Sequence, residues 1–227
     1  MADRCLLYYI TDRSQFRGDE IARRDALLAK IAEATAAGVD YIQLREKDLS
    51  ARDLEMLARD ALAVVRNNPR LRAGNRELRT RVLINSRTDI ALAVGADGVH
   101  LRTHDVAPHE IRHMLEISAL RPLATDHFLI SMSCHSAAGV VAAEAEKVDF
   151  AVFAPVFGKS GGSTQTPPAG LDALQKACQT RISVLALGGV SIENAALCLK
   201  AGAAGVAGIR LFQENKIEDV VGAFQTL

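Results

Sequence analysis

Alternating polar side chains end the second apolar run of the sequence. Gln43, Arg45 and Lys47 occupy every other position of this segment, so in an extended chain they point to the same side. Burying two cations on one face of a strand costs free energy unless an anion binds there. Arg and Lys are also the side chains that bind phosphate groups. The spacing predicts an anion site. The alternative is a salt-bridge set at the rim, in which Glu46 and Asp48 neutralise the two cations.

Further polar groups stand at the ends of later apolar runs. Asn85 ends the third run and Asp105 follows the fourth. Their oxygens could hold a polar substrate group or Mg²⁺, which keeps several waters and relies on substrate phosphates. Ser133 and His135 follow the fifth run, where a hydroxyl can bind a ligand and an imidazole can act as an acid or base near neutral pH. The alternative for His135 is a cap on the next helix.

Glycine-rich segments follow the sixth and seventh runs. Residues 157–168 combine glycines and hydroxyl groups with Lys159, a composition that suits an anionic group and a loop that closes over substrate. It is not a nucleotide P-loop, because Phe153 stands where that motif needs its first glycine. Gly188 and Gly189 follow the seventh run, where barrels commonly bind phosphate. Glycines that merely allow close packing are the alternative.

Eight short apolar runs alternate with longer amphipathic segments and would position these groups. Near-continuous apolar runs are typical of strands buried on both faces of a parallel sheet. The candidate strands are Leu6–Ile10, Tyr41–Leu44, Val82–Ile84, Gly98–Leu101, Phe128–Ser131, Asp149–Phe153, Ile182–Leu187 and Ala204–Ala207. Such alternation predicts the α/β class and a (β/α)8 TIM barrel, with residues 1–227 as a single domain. An open doubly wound sheet is the second interpretation, but no G-x-G-x-x-G follows the first run.

Capping residues mark the ends of several predicted helices. Gly38, Gly95 and Gly202 each stand where a helix must stop before the next strand, and glycine accepts the left-handed conformation of a helix C-terminus. Ser50 and Ser191 are predicted N-caps.

The composition excludes several classes of protein. Lys and Arg number 27 and Asp and Glu 27, for a formal net charge of zero, which argues against a nucleic-acid binder. No apolar run reaches the ~18–20 residues that cross a bilayer, and the first run meets Asp12 and Arg13 at once, unlike a signal peptide. Four cysteines without a C-x-x-C pair indicate buried thiols in a reducing compartment. We therefore expect a cytoplasmic protein without nucleic-acid or membrane partners, either monomeric or homo-oligomeric.

The order of these motifs resembles that of the thiamine phosphate synthase family and its relative, the thiazole tautomerase. The resemblance covers nearly the whole chain. It rests on Tyr8–Asp12, Gln43–Lys47, Asn85–Leu92, Gly95–Leu101, Ser133–His135, Pro155–Phe157 and Leu187–Val190. It implies a (β/α)8 barrel that joins hydroxymethylpyrimidine diphosphate to hydroxyethylthiazole phosphate, with Mg²⁺ as cofactor. In that chemistry pyrophosphate leaves, a pyrimidine-methyl cation forms, and the thiazole nitrogen attacks it.

The resemblance also implies roles for individual residues. Gln43, Arg45 and Lys47 would contact the pyrimidine diphosphate, and Asp105 would hold Mg²⁺ with Ser86 beside it. The residues placed on the two substrates are Tyr8, Gln43, Arg45, Lys47, Asn85, Ser163, Thr164, Gly188, Gly189 and Arg210. Those placed in catalysis are Lys159, Ser133 and His135.

Three departures from the family pattern keep two alternatives open. Ser86 replaces a magnesium-binding Asp, the loop that carries Lys159 is rebuilt, and Arg210 follows the last strand in place of a Ser-containing segment. Arg210 would either supply a phosphate-binding cation or fill the pocket. The first alternative function is a tautomerase with His135 as the acid/base on a thiazole carboxylate phosphate. The second is a non-catalytic barrel that binds a phosphorylated thiamine precursor.

Overall fold

The fold is a closed barrel of eight parallel strands surrounded by helices, seen in a computed structural model that describes residues 4–68, 79–117, 127–158 and 167–225. The strands are β1 Leu6–Ile10, β2 Tyr41–Leu44, β3 Arg81–Asn85, β4 Gly98–Leu101, β5 Leu129–Cys134, β6 Phe150–Phe153, β7 Ser183–Ala186 and β8 Gly205–Gly208. The helices within those ranges are α1 Glu20–Ala37, α2 Ala51–Arg66, α3 Thr88–Val94, α4 Pro108–Ile117, α5 Ala137–Ala145, α6 Gly170–Ala177, α7 Ala195–Lys200, α8 Arg210–Gln213 and α9 Ile217–Gln225, with a 3₁₀ turn at Arg13–Gln15.

Each strand pairs in parallel with its sequence neighbours, and β8 closes the barrel on β1. The (β/α)8 prediction is confirmed. Strand β5 is longer than predicted, because Met132 and Ser133 continue the pairing with β6 despite the polar character of this stretch.

Side chains alternate between two cores along each strand. On β1, Tyr8 and Ile10 belong to a cluster inside the barrel, whereas Leu7 and Tyr9 pack outward against the helices. This alternation follows from the two-residue period of a strand. The other buried members of the inner cluster are Leu83, Leu129, Phe150, Val152, Leu185 and Ala207.

The predicted helix ends are confirmed with one exception. Gly38, Gly95 and Gly202 have φ values of 88°, 67° and 98°, and Ser50 caps α2 by accepting a hydrogen bond from the Asp53 amide. The predicted cap at Ser191 is wrong. Its amide donates to the Asn194 side chain at 2.9 Å in a turn that delays the start of α7 to Ala195.

An aspartate directly precedes each of the strands β2, β4 and β6. Asp40, Asp97 and Asp149 each direct a carboxylate oxygen to a backbone N–H of the preceding strand, at 2.9, 2.9 and 2.6 Å. Each aspartate also pairs with an arginine from a neighbouring segment. We call these three residues the basal aspartates, because they lie at the amino ends of the strands, opposite the loops that build the site. Ala204 holds the corresponding place before β8.

Of the helices in the described part of the chain, none has the length and apolar character to span a membrane.

Candidate active site

A cavity of about 520 Å³ opens at the carboxyl ends of the strands, the end at which barrel enzymes carry their active sites. We call it the main cavity. It brings together six of the predicted site residues, namely Gln43, Arg45, Lys47, Asn85, Ser133 and His135. Its other lining residues are Ile10, His100, Arg102, Thr103, His104, Ala154, Leu187 and Ile209.

Glu46 and Asp48, which are the acidic neighbours of Arg45 and Lys47 in the sequence, pair with Arg13 instead. Glu46 is 5% exposed and accepts from the Thr11 hydroxyl at 2.5 Å and from the backbone amide of Arg13 at 2.9 Å. The buried Arg13 guanidinium binds Asp48 through two hydrogen bonds of 2.7 and 2.9 Å and reaches Glu46 at 3.2 Å. The rim salt-bridge alternative is therefore wrong for this face, because Arg13, distant in sequence, takes both carboxylates.

The main cavity is consequently cationic. Within the described ranges neither Arg45 nor Lys47 forms a salt bridge. Burial lowers the pKa of the Arg45 guanidinium. The nearby charge of Arg45, followed by partial burial and the charge of Arg102, lowers the pKa of Lys47. An arriving anion would relieve this repulsion.

Arg102 is a third cation at this mouth, and the sequence analysis missed it. Its backbone amide donates to Asp105 at 2.7 Å and its guanidinium to the same carboxylate at 3.0 Å. Burial opposes ionisation of Asp105, but hydrogen bonds from Arg102 and Ser86 outweigh it and lower the pKa of this carboxyl. The signal in the sequence was a charged residue directly after the apolar run of β4.

Asp105 and Ser86 lie together beside the main cavity. Asp105 lines an adjoining cavity of about 400 Å³ that shares Arg102, Thr103, Ser133 and His135 with the first. The Ser86 hydroxyl also accepts from the Asn85 amide at 3.2 Å, and Ser86 adopts a φ of 62°. The described residues contain no cluster of three carboxylate, imidazole or thiolate ligands. The donors are thus hard oxygens with one carboxylate, which fits a Mg²⁺ ion that takes its remaining ligands from a diphosphate and water.

Tyr8 does not reach the main cavity. It is fully buried inside the barrel against Tyr41 and Phe150, and its hydroxyl accepts from Gln43 at 2.9 Å. Burial raises its pKa above the ordinary value. The contact between Tyr8 and substrate stays a prediction, and in this structure Gln43, which lines the cavity, takes the Tyr8 hydroxyl instead.

His135 has one ring nitrogen fixed by the backbone. Its Nδ1 lies 2.7 Å from the Ala154 carbonyl oxygen, so Nδ1 carries a proton and donates it to that oxygen. The cap of α5 is Ser136, whose hydroxyl accepts from the Gly139 amide at 3.1 Å. The helix-cap alternative for His135 is therefore wrong.

Gly188 and Gly189 combine close packing with free donors. A Cβ on Gly188 would lie 2.7 Å from Pro155, and one on Gly189 would lie 2.5 Å from the Gly158 carbonyl oxygen. Their φ values of 96° and 65° also favour glycine. Among the described residues their amides have no acceptor, so the packing role and phosphate binding are compatible here.

The remaining predicted residues do not line the main cavity or cannot be placed. Arg210 is exposed at the start of α8, and the neighbouring Ile209 lines the cavity in its place. Lys159, Ser163 and Thr164 lie outside the described residues.

The fold and the site together define a class of protein, a (β/α)8 barrel with a cationic mouth suited to phosphorylated substrates. A family model described as thiamine monophosphate synthase matches residues 7–212. The putative thiamine-phosphate synthase of Geobacter sulfurreducens is 43% identical over 202 residues, which cover 88% of this chain and 83% of that protein. The thiamine-phosphate synthase of Clostridium novyi is 31% identical over 222 residues, covering 97% and 96%. This chain therefore belongs to the thiamine monophosphate synthase family.

The fold has a solved counterpart in the thiamine phosphate pyrophosphorylase from Pyrococcus furiosus. The two superpose with a TM-score of 0.75 at 24% identity, and the match covers 99% of this chain and 95% of that one. The arrangement of eight strands and their helices is thus one that a solved structure also has.

Proposed function

We propose that this chain, a transferase by family, joins hydroxymethylpyrimidine diphosphate to hydroxyethylthiazole phosphate, forming thiamine phosphate and pyrophosphate. The observation that carries the proposal is the sequestration of Glu46 and Asp48 by Arg13, which leaves Arg45 and Lys47 for an anion. Neither the tautomerase nor the non-catalytic alternative has support in the family match.

The reaction breaks the C–O bond between the pyrimidine methylene and the diphosphate and forms a C–N bond to the thiazole nitrogen. The bonding electrons leave with pyrophosphate, so the transition state gains negative charge on the leaving group. Arg45 and Lys47 would stabilise that charge from fixed positions at the end of β2. By the family resemblance, Lys159, Ser163 and Thr164 would contact the same diphosphate. The thiazole nitrogen supplies the new bond, so no residue acts as a covalent nucleophile.

The second substrate would lie toward β7 and β8. The amides of Gly188 and Gly189, which have no acceptor among the described residues, would donate to the thiazole phosphate. Holding both partners in one mouth converts the attack into a positioned, effectively intramolecular step. Arg210 would approach this phosphate from the exposed edge of the site.

Asp105 and Ser86 would hold Mg²⁺. When bound with the diphosphate, the ion would supply positive charge to the departing pyrophosphate. Asp105 also accepts hydrogen bonds from Arg102, and Arg102 lines the same cavity as Arg45, so it would add a third cation near the diphosphate.

One assay tests the proposed reaction. Purified protein is incubated with Mg²⁺ and both substrates, and thiamine phosphate and pyrophosphate are quantified. We expect stoichiometric formation of the two products and none without the thiazole phosphate. Absence of product at high enzyme concentration would exclude the transferase. A parallel incubation with thiazole carboxylate phosphate detects the tautomerase, and calorimetry with each ligand detects a non-catalytic binder.

We also propose a cytoplasmic location and a homo-oligomeric state. All four cysteines are free thiols, in keeping with a reducing compartment. Ile21 and Ile117 are about seven-tenths exposed on the outer helices, and contact between copies would cover such groups. Fractionation of cells and static light scattering on the pure protein measure the two properties.

A further inference from the structure

One side chain continues the ladder between β1 and β2 beyond its last backbone pair. The Thr11 backbone N–H donates to the Gln43 carbonyl oxygen at 2.9 Å. In a regular parallel ladder the next donor, the Arg45 backbone N–H, would donate to the Thr11 carbonyl oxygen. It donates instead to the Thr11 hydroxyl at 3.0 Å. The backbone of β1 can therefore turn away after Thr11, into the 3₁₀ turn that begins at Arg13, while the Arg45 amide keeps an acceptor.

The direction of each hydrogen bond at the Thr11 hydroxyl follows from its partners. A backbone N–H can only donate, so the hydroxyl accepts from Arg45 and has one proton left for a second partner. That partner is the Glu46 carboxylate, whose oxygen lies 2.5 Å away. Thr11 and Glu46 are both buried, so loss of either bond would leave a buried polar group without its partner. Glu46 therefore orients the Thr11 hydroxyl so that it accepts from the Arg45 amide.

The backbone at Arg45 decides where its side chain points. Arg45 directly follows the last residue of β2 and lines the main cavity, whereas Thr11 is not among the lining residues. Across the described ranges no salt bridge holds the Arg45 guanidinium. Its direction into the cavity thus depends on the backbone position that the Thr11 hydroxyl maintains.

We propose that Thr11 is a positioning residue for diphosphate binding, whose hydroxyl holds the Arg45 backbone so that the guanidinium faces the diphosphate. The identity of the ligand rests on the proposed function. The hydroxyl makes both side-chain hydrogen bonds and the methyl group makes neither. Serine should therefore replace Thr11, whereas valine, which has the same branched shape without a hydroxyl, should not.

Calorimetry with pyrophosphate and Mg²⁺ tests the proposal without turnover. Thr11→Val should weaken pyrophosphate binding roughly tenfold, the effect of about one hydrogen bond, and Thr11→Ser should bind like the parent. Thr80→Val is the matched control, because Thr80 is also buried and its hydroxyl donates to the Val39 carbonyl oxygen at 2.7 Å, at the amino ends of the strands. Parental affinity in Thr11→Val, or an equal loss in Thr80→Val, would overturn the proposal. If Thr11→Val does not fold, Thr11→Ser decides, since weakened binding in that variant would also overturn it.

A double-mutant cycle tests whether Thr11 acts through Arg45. Thr11→Val should weaken pyrophosphate binding roughly tenfold in the parent but less than about twofold in Arg45→Met, because the side chain that Thr11 positions is then absent. A tenfold loss in both backgrounds would contradict the proposal. So would a rise in KM for the thiazole phosphate equal to that for the pyrimidine diphosphate. A chain that shows the expected pattern with pyrophosphate but makes no thiamine phosphate would refute the transferase and support the role of Thr11.

Discussion

Substitutions of Arg45 and Arg13 should have different effects: the first should lower activity and the second should lower stability. Arg45→Met keeps the length and packing of the side chain and removes only the charged fork. The backbone amide of Arg45 still donates to Thr11 at 3.0 Å, and the lost charge stands near Lys47 and Arg102. We therefore expect the free energy of unfolding to change by less than about 1 kcal/mol. Transfer should lose about 3 kcal/mol of stabilisation, on the order of a hundredfold in kcat/KM.

Arg13→Met provides the comparison. The Arg13 side chain is 5% exposed and contacts three carboxylates, so its removal leaves the buried Glu46 without its cation. We expect a loss of about 3–5 kcal/mol in stability. Urea unfolding and a pyrophosphate-release assay measure the two quantities. Equal destabilisation by both substitutions, or a kcat/KM for Arg45→Met within a few-fold of the parent, would refute the reasoning.

Diphosphate binding should depend on pH, and this dependence should differ between the parent protein and Arg45→Met. Arg45 is the first cause of the lowered pKa of Lys47, and Lys47 binds a diphosphate only while protonated. Diphosphate binding should therefore weaken as the pH rises through that lowered pKa. In Arg45→Met this loss should move to higher pH, as followed by calorimetry. An unchanged midpoint would show that the two cations are not coupled.

Three further substitutions, with Gly222→Ala as a control for one of them, test the site and the barrel that carries it. Glu46→Gln should destabilise the protein by about 2–3 kcal/mol in urea unfolding, because the Thr11 and Arg13 donors lose a buried charged acceptor; an unchanged midpoint would contradict this. Gly98→Ala would place a Cβ 2.2 Å from the Leu129 carbonyl oxygen and should cost at least about 3 kcal/mol, whereas Gly222→Ala, with no atom within 4 Å, should be neutral or slightly stabilising. Asp105→Asn should raise the Mg²⁺ concentration for half-maximal activity at least tenfold in a metal titration, and a variant with the parental requirement would place the ion elsewhere.

The barrel and the strand-end residues could be predicted because they depend on local pattern. A strand buried on both faces needs a continuous apolar run, and β2 begins and ends where the Tyr41–Leu44 run does. The carboxyl ends of parallel strands then meet at one mouth, which brought Gln43, Asn85 and Ser133 together.

The pairing of the charges could not be predicted, since it depends on contacts between distant segments. Arg13 precedes Glu46 by 33 positions, and nothing in the local sequence distinguishes it from Arg45 as a partner. His100 lies within an apolar run, where a histidine is compatible with packing or with a buried hydrogen bond. The structure shows that it is hydrogen-bonded, to Ser131 and Ser133 on the next strand.

The basal aspartates stabilise three successive strand pairs of the barrel, β1–β2, β3–β4 and β5–β6, but not the pair β7–β8. Three times, a carboxylate at the foot of an even-numbered strand ties the strand before it, but Ala204 offers no such tie between β7 and β8. The register there spans two residue pairs, Leu185 with Gly205 and Ala186 with Val206, against three or four in the other pairs of neighbours. We call the β7–β8 pairing the seam. It is expected to open before the other strand pairs of the barrel, so amide exchange should be fastest along it. Gly188 and Gly189 follow β7 at the carboxyl end of this seam, so their amides should also exchange faster than those after the other strands.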